Sequence, residues 1–168
     1  MPGTLHTALE FGFCIGGILC LLIAAGHDVV ARTAPNWTAG GLLVCGAALR
    51  TLQGNLFTGL LVGLAMLLVA AFCWRRGWMG GGDVKLLTGA AVLVPPGQIL
   101  GFVLAVTLSG GVLAMLYLAG KRFVPAPAPK RPRNLLARAL RAERWRIRRG
   151  GPLPYACAIA AGGLIVLL

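Results

Sequence analysis

Apolar positions fall in long blocks, and the polar positions between them are few and bunched. A transmembrane helix needs roughly 20 mostly apolar residues. Runs of that kind cover 8–30, 37–52, 56–73, 83–94, 98–120 and 154–168. The second run is short and ends near Arg50, whose long side chain can snorkel to an interface. The fourth is short as well, and Pro95-Pro96 stops it. The pattern predicts an all-α, polytopic transmembrane helix bundle of about six spans, forming one membrane-embedded domain over 1–168. The N-terminus lacks a basic leader region and an early cleavage site, so the first run reads as a retained span.

Segment 121–152 departs from this pattern. Val124 to Pro132 (VPAPAPKRP) reads as an extended, proline-rich spacer. A basic amphipathic helix is expected over 134–149, with Leu136, Leu140 and Ile147 at helical spacing among Arg138, Arg141, Arg144 and Arg148. Such a helix between the last two spans suits an anionic lipid surface, and docking of a partner protein is the alternative.

Composition agrees with a bilayer setting. Charged residues make up 12% of the chain, against about a quarter in a soluble domain. The net charge of +12 raises nucleic acid as a partner, but nine of the sixteen basic residues sit within 130–149, beside apolar spans. Attraction to anionic membrane lipids explains that placement more simply, and no nucleic-acid partner is expected. The charge also orients the bundle. Six spans would place 31–36, 74–82 and 121–152 on one side, with Arg32, Arg75, Arg76, Lys121, Arg122 and the whole cluster, and Lys85 just inside the span that follows, leaving only Arg50 opposite. By the positive-inside rule, that side is cytoplasmic and both termini lie outside. Trp37, Trp74 and Trp78 fall at the same boundary, as interfacial aromatics do. The five cysteines include no C-x-x-C pair, which gives zinc or thiol redox chemistry no ligand spacing. His27 beside Asp28 makes a poor metal set, so neither metal nor cofactor is expected.

Only four acids occur: Glu10, Asp28, Asp83 and Glu143. An ionisable group at membrane depth is costly and is a functional candidate by default. Asp28 closes the first span and Asp83 opens the fourth, so the expected topology brings both to the cytoplasmic boundary. Two carboxylates at one level can share the work of hydrolysis. One takes a proton from water while the other donates one, because two adjacent negative charges do not persist together. Asp83 starts a helix, where the dipole favours an anion, whereas Asp28 sits near a helix C-terminus, where it does not. Gly80, Gly81 and Gly82 would permit unusual backbone and close substrate approach. Pro35 and Asn36 set the turn after Asp28, with Asn36 as a local cap. Lys85 could meet lipid phosphate, a carboxylate or the substrate, and Glu10 reads as an interfacial or pairing residue at the opposite face.

These segments carry a resemblance. His27-Asp28 through Pro35-Asn36-Trp37 resembles the first active-site segment of type IV prepilin peptidases, an Asp followed by Pro-Asn. Gly80-Gly81-Gly82-Asp83-Val84-Lys85 resembles their second, G-x-G-D followed by Lys. Leu153-Pro154-Tyr155-Ala156 is similar to the Pro-Tyr segment that opens their last span. The resemblance implies a membrane aspartyl protease of a bacterial inner membrane, with Asp28 and Asp83 catalytic and Gly80, Gly82, Pro35, Asn36 and Lys85 in support. The chain is similar to the short TadV/CpaA-type peptidases of the tight-adherence (Flp) pilus system. That likeness implies prepilin and pseudopilin substrates and, without the two C-x-x-C pairs of the larger enzymes, no methyl transfer. Ala34 stands where the family usually has Ile, and the arginine-rich 121–152 loop is longer than expected. Two alternatives differ in recognisable ways. Signal-peptide-peptidase or presenilin-like proteases carry Tyr before the first Asp and a Pro-Ala-Leu motif; this chain has His27 and no such motif. A small transporter or assembly scaffold would more often show inverted repeats and mid-membrane charges.

Overall fold

The computed structural model describes residues 2–124, 135–149 and 153–168. Most of the proline-rich spacer expected over 124–132 lies outside the described residues. Regular structure among the described residues is helical throughout. It comprises α1 (Pro2–Ala31), α2 (Asn36–Leu52), α3 (Leu56–Arg75), α4 (Gly81–Leu93), a 3-10 turn (Pro96–Gln98), α5 (Ile99–Phe123), α6 (Leu135–Arg149) and α7 (Tyr155–Leu167).

Local chemistry sets the boundaries. Arg32 leaves α1 in the left-handed region at φ 57°, and Pro35, at φ −61°, precedes the first residue of α2. Gly54 and Gly77 take φ 69° and 74° after α2 and α3, the conformation that closes a helix end and favours glycine. Pro95 follows the extended Val94 at the end of α4, so no further helical hydrogen bond can form there.

The bundle is helical as expected, and its helices differ in length. Three apolar helices, α1, α3 and α5 with the turn before it, are long and apolar enough to cross a membrane. α7 is a shorter apolar helix of 13 residues, and α4 has the same length. At about 1.5 Å per residue, each spans only about 20 Å, against a hydrocarbon core of about 30 Å. These short helices lie inside. α4 packs against α2, α3, α1 and α7, while α7 packs against α5 and α1. From Leu86 to Leu93 every α4 residue but Thr88 is buried. The long helices turn Leu19, Phe57, Leu68, Leu104 and Leu108 outward, as lipid-facing surfaces do.

Small residues let the backbones meet, which is how membrane helices gain packing when lipid removes the usual hydrophobic drive. A Cβ on Gly46 of α2 would lie 2.7 Å from the Leu93 amide nitrogen of α4. One on Gly162 of α7 would lie 2.7 Å from the Val106 nitrogen of α5.

Arg50 departs from the snorkelling expectation. It is 1% exposed, lies on Gly59, and donates from Nη2 to the Leu93 carbonyl at 3.0 Å. The proline stop after α4 leaves unpaired carbonyls, and Arg50 satisfies one of them from the neighbouring helix.

Candidate active site

The end of the bundle opposite Arg50 gathers the sequence-predicted residues. Asp28 lies on the last turns of α1 and is buried. Asp83 lies in the first turn of α4 and is partly exposed. The two carboxylates are near enough to interact electrostatically. Residues 55 apart in sequence thus come to the same end of the bundle, because α1 ends and α4 begins at one level.

The loops between them are built for this approach. The glycines serve a purpose other than the unusual backbone expected of them. Gly80 takes an ordinary extended conformation, φ −72° and ψ 146°. Its missing side chain makes room, since a Cβ there would lie 3.0 Å from Asp83 Oδ2. Asp83 folds back over Gly80, toward the backbone amide that an acid three residues into a helix approaches. A Cβ on Gly82 would lie 3.2 Å from that of Ala34, so the start of α4 presses on the loop that follows Asp28. Gly80 clears the carboxylate and Gly82 the neighbouring loop, which gives the G-x-G spacing a steric reason.

Pro35 and Asn36 hold the same junction. The Pro35 carbonyl accepts from Thr38 N at 3.1 Å and from Thr38 Oγ1 at 2.7 Å. Asn36 makes a longer-range contact than the local cap expected of it. Its Oδ1 accepts from Lys85 Nζ at 2.9 Å, tying the α2 start to the α4 start. Lys85 is thereby engaged with a neutral amide on the exposed rim. His27 Nδ1 donates to the Thr33 carbonyl at 2.7 Å and closes the turn after α1. Trp37, Trp74 and Trp78 ring this end with exposed side chains. Glu10 lies at the far end, 3.8 Å from His6.

One functional contact has no clear signal in the sequence. Asp28 Oδ2 accepts from the backbone N–H of Ala156 at 3.2 Å. Ala156 is in the first turn of α7, where N–H groups have no partner within the helix. The electrostatic asymmetry expected from helix ends therefore loses its ground. Asp28 faces the N-terminus of α7, and Asp83 lies at the N-terminus of α4. In the sequence, Pro154 marks the start of α7 but not the group that its first amides face. Tyr155 packs over Gly110 of α5 and lies within electrostatic reach of Asp83.

An all-helical membrane bundle with two acids at one end, seated on glycine and proline turns and backed by helix N-termini, defines a membrane protein with a polar site at its interface. The type IV leader peptidase family model matches residues 15–115, more than half of the chain, including both aspartates and their loops. The chain belongs to that family and is a membrane-bound peptidase. No curated protein and no solved structure matches it. α6 and α7, including the Ala156 amide, fall beyond the matched segment.

Proposed function

We propose that this peptidase is an aspartyl endopeptidase that removes the leader of Flp-type prepilins and pseudopilins at the cytoplasmic face of a bacterial inner membrane. The observation that carries this reading is the placement of Asp28 and Asp83 at one end of the bundle, within electrostatic reach of each other. The family match supports a leader substrate, and the Pro-Asn and G-x-G-D segments support the aspartyl chemistry. The charge distribution supports a cytoplasmic site with both termini outside. Within these 168 residues no C-x-x-C pair occurs, so the reading is of cleavage without methyl transfer.

In this mechanism a water sits between the carboxylates. The ionised aspartate takes a proton from it, and the water oxygen bonds to the scissile carbonyl carbon. The protonated aspartate gives its proton to the carbonyl oxygen, forming a neutral tetrahedral diol. Collapse moves a proton to the leaving nitrogen, breaks the C–N bond and restores one proton to the pair. Ala156 N–H holds Asp28 in place, and Asp83 is folded back against Gly80, so both carboxylates are oriented by the backbone.

Arg144 and Arg148 lie on the exposed side of α6 and would rest on anionic lipid beside the site. Co-expression with a Flp-type prepilin, followed by the substrate's size, tests the whole reading. Wild type is expected to shorten the substrate, and D28N and D83N to leave it full length at equal protein level. Normal processing by either variant would overturn the pair.

A further inference from the structure

Asp28 and Arg32 are four residues apart, the spacing at which an acid and a base on one helix ordinarily pair. They make no ion pair among the described residues. Instead Arg32, turned off the helix at φ 57°, donates from Nη2 to Glu143 Oε1, 111 residues away on α6. Tyr117 of α5 completes the knot. Its hydroxyl accepts from Arg32 Nη2 at 3.0 Å and donates to Glu143. Glu143 Oε2 accepts from Arg146 Nη1 at 3.1 Å, and the same Nη1 donates to the Val29 carbonyl at 2.9 Å. The three charged side chains are only 12%, 17% and 19% exposed for Arg32, Glu143 and Arg146 respectively.

This knot lies beside the candidate site. Asp28 is within electrostatic reach of Arg32, Arg146 and Glu143. Arg32 also keeps two buried N–H-bearing atoms, Nε and Nη1, without a hydrogen-bond partner. A guanidinium with spare donors in a low-dielectric setting forms strong forked bonds to any carboxylate it can reach. Asp28 is the carboxylate besides Glu143 that lies within electrostatic reach of Arg32.

We propose that Glu143 is a positioning residue that holds Arg32 and Arg146 off Asp28, leaving that carboxylate free to work with Asp83. The inference rests on the reading of those two aspartates as the catalytic pair. It assigns the only acid in the arginine-rich helix to the chemistry rather than to the lipid surface. Without Glu143, Arg32 swings to Asp28 and pulls it from the Ala156 amide.

The test uses the full chain in lipid nanodiscs with a Flp-type prepilin. E143Q and E143A are expected to lower kcat about tenfold or more with KM little changed. Adding R32A and R146A to E143A is expected to recover most of that loss, because the competing cations are gone. If the knot were only a structural clamp, each further deletion would lower the rate again. A second readout does not depend on activity. Amide exchange at Ala156, followed by NMR, is expected to quicken about tenfold in E143A and to slow again in the triple variant. Wild-type kcat in E143Q, a triple variant slower than E143A, or unchanged Ala156 exchange would overturn the proposal. Normal cleavage by D28N would instead sink the catalytic pair, while Ala156 exchange would still report whether Glu143 restrains the arginines.

Discussion

The two ends of α4 each meet a charged side chain, and they treat it in opposite ways. At the C-terminal end Arg50, from α2, is 1% exposed and bonded to the Leu93 carbonyl. It serves as a cap, satisfying a backbone group that Pro95 leaves stranded. At the N-terminal end Asp83 is partly exposed, makes no ion pair among the described residues and has a second carboxylate, Asp28, within electrostatic reach. Stability alone would favour a basic partner for Asp83, or none. The contrast separates a charge whose bonding the fold uses from one it leaves available, and in the proposed mechanism the second is the one that transfers a proton.

Substitutions can break that contrast, and the largest effect is expected at the aspartates. D83N and D28N should each lower kcat by about a thousandfold or more, with the unfolding midpoint in detergent kept or raised. The comparison fails if R50M lowers the rate per folded molecule as severely. Next comes G80A, whose new Cβ would press on Asp83 Oδ2 at 3.0 Å. If Asp83 acts as proposed, displacing it by a fraction of an ångström should cost about tenfold or more in kcat, measured on purified protein with thermal stability little altered. R50M belongs to stability instead. Leaving the buried Leu93 carbonyl without its donor should cost about 1–3 kcal/mol, read by denaturant unfolding, with kcat per folded molecule within about twofold. K85A should be mildest, raising KM about two- to threefold, since its Asn36 bond lies on the exposed rim and is worth little in water.

Helix positions were legible because long apolar runs stand between short polar stretches, with Pro95-Pro96 stopping the fourth; the structure adds the local reasons. Pro35, Gly54, Gly77 and Pro95 punctuate the chain where the helices stop or start. The aspartates were legible because acids are so rare in this sequence. Arg50 was misread, since being near the end of a span does not reveal whether a side chain points to water or to a neighbour's last carbonyl. Glu143 looked like one acid in a basic helix, because its partner Arg32 is 111 residues away. The Ala156 amide had almost no signal, as every residue but proline carries the same backbone N–H. What escaped sequence reading was therefore the part of the site made by tertiary contact between α1 and the last two helices.

The brevity of α4 and α7 has a consequence for where such a molecule works best. At thirteen residues each, both are too short to cross a hydrocarbon core of about 30 Å and are carried in it by the longer helices packed around them. Hydrophobic mismatch then becomes a handle on the enzyme. Lengthening the acyl chains of the surrounding bilayer should draw the end of the bundle that holds the aspartates below the headgroups and slow access of a leader segment to it, and shortening them should leave that end open.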